Sequence, residues 1–411
     1  MKITLIAAAL SASALLVLPA SSNAQTPSSP AAPIKIGVLT DLSGVVADAT
    51  GKGSVEAARI AVEEAGGKVL DRPIEVIAAD HQHRPDIGSA IARKWFDVDG
   101  VDVIVDLPNS SVALAVQNIA REKKKIVMFS SAGTTALSQG QCSPYGVQWT
   151  YTTYALARGT ASAVVKAGEK NWFILATDYA FGKQLAKDTS EVVTANGGHV
   201  LGTVYHPLNT ADFSSFLLQA QSSNAQIIAL ANAGGDTINA IKQAAEFGLG
   251  TGKQKLAAML LMITDVHSLG LKVAQGTYLT TPSYWDANDG TRAFTKKFEA
   301  RVGKPPTFLQ AGVYGSVRHY LKAVKAAGTD QSDAVMAKMR QLPIDDPFSQ
   351  HAQIRPDGLV VRDMLLAQVK TPEQSKKPWD YYNIIATIPG ENLVWPLAES
   401  QCPLLKNDKK S

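Results

Sequence analysis

Three stretches of small hydroxyl, amide and glycine residues each follow an apolar run: Asp41-Leu42-Ser43-Gly44 after Ile34 to Thr40, Pro108-Asn109-Ser110-Ser111 after Val101 to Leu107, and Ser130-Ser131-Ala132-Gly133-Thr134-Thr135 at the end of Ile126 to Ser130. Such residues let an anion approach main-chain N–H groups while hydroxyls and amides donate further bonds, which is the chemistry of holding rather than of bond breaking. Any one stretch alone is an ordinary helix N-cap. Three at one edge of one sheet point to a ligand.

Catalytic signatures are poor by comparison. From Gly44 to Gly51 the spacing is too long for a phosphate loop, and Lys52 is followed by Gly53 rather than Ser or Thr. Gly248, Gly250 and Gly252 alternate without the G-x-G-x-x-G pattern, and no G-x-S-x-G elbow occurs. His81 and His83, with Asp80, could touch a metal, but no further His or Cys stands at zinc-site spacing. A polar loop leading to a helix near Asp86 is the plainer account. The expectation is therefore no enzyme, no cofactor and no metal.

The elements that must position these turns alternate. Ile34 to Thr40, Ile74 to Asp80, Val101 to Leu107 and Ile126 to Ser130 read as strands, with helices at Gly53 to Glu64, Asp86 to Phe96 and Ser111 to Glu122 between them. A second series follows: strands Trp172 to Thr177, Val200 to Tyr205, Ile227 to Ala231 and Leu256 to Ile263, with helices Phe181 to Ala195, Phe213 to Ser222 and Asp236 to Phe247. Cys142 to Tyr154 reads as a crossing segment. After a strand at Gly276 to Thr281 come helices at Asp289 to Val302, Leu309 to Ala327 and Asp333 to Gln341, suited to the back of the first series, then a final strand at Asp363 to Val369 assigned to the second. The predicted fold class is α/β: two doubly wound lobes joined by a three-segment hinge, lobe I being 34–152 plus 286–350 and lobe II 153–285 plus 351–411.

The ends and the composition bound the rest. Lys2, the apolar run Leu5 to Leu18 and Ser22-Asn23-Ala24 form a signal peptide over 1–24, followed by a flexible leader over 25–33, so a mature chain starting at Gln25 in the periplasm is expected. No Cys follows the cleavage site, so no lipid anchor is expected. A net charge of +4 on 40 basic and 36 acidic residues gives no argument for nucleic acid. The run Lys123-Lys124-Lys125 reads as solvated cations at a helix end. Cys142 and Cys402, the two cysteines of an exported chain, are expected to form a disulfide.

The opening Ile34-Lys35-Ile36-Gly37-Val38-Leu39-Thr40-Asp41-Leu42-Ser43-Gly44, with Gly51 and Gly53 to Ala58, resembles that of the branched-chain amino-acid-binding proteins, the type I periplasmic-binding family. The likeness continues through Asp80 to Asp86, Asn109 to Ser111 and Tyr179-Ala180-Phe181-Gly182, and covers essentially the mature chain. It implies a solute-binding protein of an ABC uptake system, a monomer that delivers a small carboxylate to a membrane permease without inserting in the membrane. First-lobe turns would hold the carboxylate, which carries over to Asn109, Ser110, Ser131, Ala132 and Gly133, with Leu42 and Ser43 beside them; Phe181 would cover the ligand. Amino-acid-binding relatives place an acid where this chain has Met262, and an apolar residue cannot pair a buried ammonium. Amino acids are thus disfavoured unless Asp265 or Asp236 reaches in.

Asp80-His81-Gln82-His83, Ala233-Gly234-Gly235-Asp236 and Tyr284-Trp285 look most like members that take up aromatic or keto acids. The expected ligand is an aromatic or keto carboxylate, with Tyr151, Asn232, Asp236 and Met262 at the site and Tyr284 and Trp285 as hinge or pocket wall. A sensory protein of the same fold is the rival from another class.

Overall fold

The structure, a computed structural model, describes residues 32–250, 252–349 and 352–407. The signal peptide and nearly all of the leader lie outside the described residues.

Six strands form the first sheet: β1 (Ile34–Thr40), β2 (Lys68–Val69), β3 (Arg72–Asp80), β4 (Val103–Asp106), β5 (Ile126–Phe129) and β6 (Gly146–Gln148), in the order β2-β3-β1-β4-β5-β6. All pairs are parallel except β2 with β3. Thr40 is level with Asp80, and Leu39 with Asp106, so the carboxyl ends of β3, β1 and β4 form one rim. The second sheet comprises β7 (Asn171–Thr177), β8 (His199–His206), β9 (Ile227–Ala231) and β10 (Lys255–Ala258), ordered β10-β9-β7-β8 and parallel throughout. In each sheet the order reverses once beside the first strand of its series, at β1/β4 and at β7/β9. Such switch points open a crevice at the strands' carboxyl ends.

Helices α1 (Gly51–Glu64), α2 (Pro85–Lys94) and α3 (Ser110–Lys123) connect the first sheet. Helices α4 (Thr153–Lys166), α5 (Ala180–Ala195), α6 (Ser214–Ser222) and α7 (Gly235–Glu246) serve the second, followed by α8 (Ile263–Leu269) and α9 (Leu271–Ala274). Helices α10 (Asp289–Val302), α11 (Phe308–Ala327) and α12 (Ser332–Gln341) return to the first sheet. There Phe294, Phe298, Val317 and Tyr320 pack on Ile34, Ile36, Val103 and Ile126, as the apolar periodicity requires. The opposite face buries Leu39, Ile104 and Phe129 against Val112 and Val116 of α3. Trp172 and Phe173 point to opposite faces of the second sheet and seed its two cores.

Local chemistry sets the boundaries. Pro85 opens α2, with Asp86 in its first turn and Arg93 and Lys94 in its last, complementing the helix dipole. A mutual Thr307–Gln310 cap starts α11, and Gly328 at φ 66° ends it. Of the lysine run, Lys123 pairs with Asp97 at 2.7 Å and Lys125 with Asp102 at 3.8 Å on the surface.

Four expectations are corrected. Cys142 to Tyr154 is not merely a crossing, because Gly146–Gln148 pairs with β5 and Thr153 starts α4. Helix α4 is Ala-rich and buried on most of its surface, so it carries no apolar stripe to read. The run from Leu256 stops as a strand at Ala258, and Ile263 already begins α8. Nor is the strand near Met364 the last: β14 (Met364–Val369) pairs antiparallel with β11 (Tyr278–Thr281) and with β15 (Tyr382–Ile388), a small sheet apart from both large ones. The hairpin β12 (Gln353–Ile354) and β13 (Val360–Val361) precedes it.

Cys142 and Cys402 are joined as a disulfide, their Cα atoms 5.5 Å apart across 260 residues of chain. The bridge fastens the tail, where Trp395 stacks on Tyr154 at 3.7 Å and the Gln401 amide donates to Gln139 Oε1 at 2.7 Å. Among the described residues no helix is long and apolar enough to cross a membrane.

Candidate functional site

One small cavity lies where the two switch points face each other. Val46, Pro108 and Ser131 reach it from the turns after β1, β4 and β5; Tyr179 and Phe181 from after β7; Ala233, Leu260 and Met262 from after β9 and β10. Tyr151 and Leu309 complete the wall. Its free room is about 10 Å³, the size of one water. The two sets of turns are therefore shut against each other, and no lining residue carries a carboxylate or an ammonium.

Closure is fastened through the main chain. The Gly235 N–H donates to the Val45 carbonyl at 3.0 Å, across a gap bounded by the turn after β1 and the turn after β9. Gly234 stands at φ 56°, and a Cβ there would overlap the Val45 carbonyl oxygen. Only glycine lets the two turns meet.

The polar floor is the turn after β5. Ser131 donates its hydroxyl to buried Asp106, so it is committed within the protein. Burial pushes the Asp106 carboxyl up to about 6, against the Ser131 bond, which lowers it. Asp106 and Leu107 both sit in the left-handed region, at φ 84° and 58°, a strained pair held by the Ser131 N–H to Asp106 carbonyl bond at 3.2 Å and the Leu107 N–H to Leu39 carbonyl bond at 2.9 Å. Tyr151 donates its hydroxyl to the Ser131 carbonyl at 3.0 Å. Next to these, the N–H groups of Ala132 and Gly133 are buried and have no acceptor among the described residues. Buried amides without a partner are rare. A Cβ at Gly133 would stand 2.5 Å from the Tyr151 ring, so that ring packs on this turn only because the side chain is absent.

Other expected residues lie near this floor without lining the cavity. Asn109 Oδ1 accepts from the Ser111 and Val112 amides at 2.9 and 3.1 Å, capping α3, while its Nδ2 meets His83 Nδ1 at 3.0 Å. With the amide orientation set by the cap, His83 Nδ1 must accept, and Nε2–H donates to Asp41 at 2.7 Å. Burial raises the Asp41 pKa, but the His83 bond and the Gly44 and Val46 amides outweigh it and hold the carboxyl below its ordinary value. Ser110 Oγ accepts from the Thr134 N–H at 3.3 Å. Ser43 donates to Asp80 at 2.7 Å, and Leu42 is exposed.

On the second sheet Phe181 and Met262 meet the cavity, whereas Asn232 binds His206 and Thr237. Asp236 accepts from the Asn209 and Thr210 amides at 3.3 and 3.0 Å, and Asp265 from the Met262 amide at 2.9 Å. Neither acid lines the cavity. Burial pushes Asp236 up to about 6 and Asp265 to about 7. Tyr284 and Trp285 stand apart, both donating to the Trp379 carbonyl, at 3.2 and 3.0 Å.

Sequence reasoning missed Val46, Pro108, Tyr179, Ala233, Leu260 and Leu309. All but Leu309 follow strand ends, and that position was the available signal.

Comparison with known proteins identifies the family and the fold. Residues 33–377 match the family model described as periplasmic binding protein. A periplasmic binding protein from Burkholderia mallei is 52% identical, with a TM-score of 0.89 over 90% of this chain and 99% of that one. A branched chain amino acid ABC transporter periplasmic ligand-binding protein from Burkholderia xenovorans is 42% identical, with a TM-score of 0.81 over 90% and 99%. A Leu/Ile/Val-binding protein homolog 6 from Brucella melitensis is 28% identical over 74% of this chain and 78% of its own. With the family model spanning both sheets and the crevice between them, the chain belongs to the periplasmic binding protein family, in its branched-chain amino-acid transporter branch.

Proposed function

We propose that this chain is the exported substrate-binding protein of an ABC uptake transporter, and that it holds a small aromatic carboxylate between two lobes. The observation that carries the reading is the pair of amides at Ala132 and Gly133 without acceptors among the described residues, next in the chain to Ser131 of a cavity walled by Tyr151, Tyr179, Phe181 and Met262. Two adjacent N–H groups suit one carboxylate, and aromatic walls suit a flat apolar body.

Lobe I is 34–152 with 286–350 and lobe II is 153–285 with 351–411, three segments crossing between them. Ligand enters when these segments flex and the lobes part, since the closed cavity admits about one water. Binding selects the closed form in proportion to its preference for it, and the permease reads that form. An N-terminal signal peptide cleaved near Ala24 delivers the chain to the periplasm.

Absence of a carboxylate from the lining argues against an α-ammonium, and so against amino acids. Solute binding proteins of this fold from Rhodopseudomonas palustris are solved with 3,4-dihydroxybenzoic acid and with 4-hydroxybenzoate, at 24% and 23% identity. A leucine binding protein from Thermotoga maritima has the same fold at 21%. Isothermal titration with benzoate, hydroxybenzoates, phenylpyruvate and leucine tests the assignment. Tight binding of an aromatic acid is the expected result; tight leucine binding with no aromatic acid bound overturns it.

A further inference from the structure

The polar side chains lining the cavity are nearly all committed within the protein. Ser131 gives its hydroxyl proton to Asp106, and Tyr151 gives its own to the Ser131 carbonyl. Tyr179 differs: its hydroxyl has no protein partner among the described residues, and the residue, which lines the cavity, is half-buried rather than sealed from solvent. It occupies the N-cap position of α5 in extended conformation, φ −153° and ψ −179°, yet its side chain makes no cap. Its ring lies 6.1 Å from that of Phe181, forming one aromatic wall. Burial, and secondarily the charge of Asp236, raise its pKa above the ordinary phenol value, so at neutral pH it remains a proton donor.

We propose that Tyr179 is a specificity-determining residue whose hydroxyl donates to a ring hydroxyl of the bound aromatic acid, so that the clamp prefers hydroxylated benzoates to benzoate itself. This rests on the carboxylate reading above. The free amides of Ala132 and Gly133 belong to the first sheet, whereas Tyr179 follows β7 of the second. Once the amides hold the carboxylate, the rest of the ligand faces the opposite wall. Among the groups there, Phe181, Leu260 and Met262 are satisfied by an apolar ring. The phenol is not: half-buried in the closed form, its hydroxyl gains a bond to the ligand from a ring hydroxyl and none from an unsubstituted ring. A site that hydrogen-bonds a ligand hydroxyl rejects the analogue lacking it more strongly than an apolar pocket rejects an added group.

Titration of wild type and Tyr179→Phe with benzoate and with 2-, 3- and 4-hydroxybenzoate tests this, thermal melts confirming that the variant folds. Wild type is expected to bind at least one hydroxybenzoate about tenfold more tightly than benzoate. In Tyr179→Phe that ratio is expected to fall to about twofold or less, with benzoate affinity unchanged or improved. An unchanged ratio, or a wild type that favours benzoate over every isomer, overturns the proposal and leaves the carboxylate reading standing. An equal loss for benzoate and hydroxybenzoate also overturns the proposal, because Tyr179 would then not be reading the ring hydroxyl. No binding of any of the acids to wild type overturns both.

Discussion

The amide of Gly235 donates to the carbonyl of Val45 at 3.0 Å, joining the turn after β9 to the turn after β1 through main chain alone. No ligand atom takes part, so the bond lowers the free energy of the closed form whether or not the clamp is occupied.

Gly234→Ala is accordingly expected to disfavour closure, because the added Cβ overlaps the Val45 carbonyl oxygen and the position requires φ 56°. Affinity for whichever acid wild type binds should fall about tenfold or more, and the radius of gyration in the presence of ligand should rise in small-angle scattering. Gly235→Ala is the control: it keeps the donor, and its Cβ meets Val45 only at ordinary contact distance, 3.6 Å or more, so affinity should hold. An unaltered affinity in Gly234→Ala would show that the clasp does not govern closure.

Asn109→Ala should act on stability rather than on the ligand directly. The side chain caps α3 and orients His83, and it does not line the cavity. Loss of the cap costs about 1 kcal/mol, read as a lower denaturation midpoint, and Asn109→Asp should recover most of it. A tenfold loss of affinity at unchanged stability would return Asn109 to the carboxylate site.

Asp188 of α5 accepts from the hydroxyls of Thr153 at 2.5 Å and Thr135 at 3.0 Å, linking α5 to the 3-10 turn Thr135–Leu137 after β5. Burial pushes its carboxyl up to about 6, against the Thr153, Gln184 and Thr135 bonds. The native state therefore binds this proton over a range where the unfolded chain has lost it, and the group's contribution to stability falls as pH rises from about 4 to about 6. Chemical denaturation at pH 5 and pH 7.5 should show wild type gaining stability at the lower pH relative to Asp188→Asn. The reverse ordering would contradict the assignment.

The Cys142–Cys402 bridge closes a loop of 260 residues and holds the tail on the body of the protein. Replacing both cysteines by serine should lower stability by about 2–5 kcal/mol, and the unreduced, denatured wild type should contain no titratable thiol. Two thiols by that titration would contradict the bridge.

Much of the fold follows from chain-local physics. Alternation of short apolar runs with 3.6-period stripes marks β1, β7 and β9, α5 and α10 to within a residue or two, because burial of one face is a local demand. The turns after β1, β4 and β5 were legible for the same reason: helix starts need small donors and acceptors. Edge pairing was not legible. Gly146–Gln148 and β15 are strands only because a partner lies alongside, and Ala-rich α4 shows no stripe because it is covered nearly all round.

Residue type alone placed small polar groups at the strand ends and forecast the pairing of two cysteines in an exported chain. Only tertiary structure decided how each group is used. Asn109 turned to its own helix and Ser131 to Asp106, while the Tyr179 hydroxyl and the amides of Ala132 and Gly133 have no protein partner among the described residues. A hydrogen-bonding group keeps its capacity wherever the chain puts it; whether that capacity is met inside the protein depends on neighbours brought together from distant parts of the sequence.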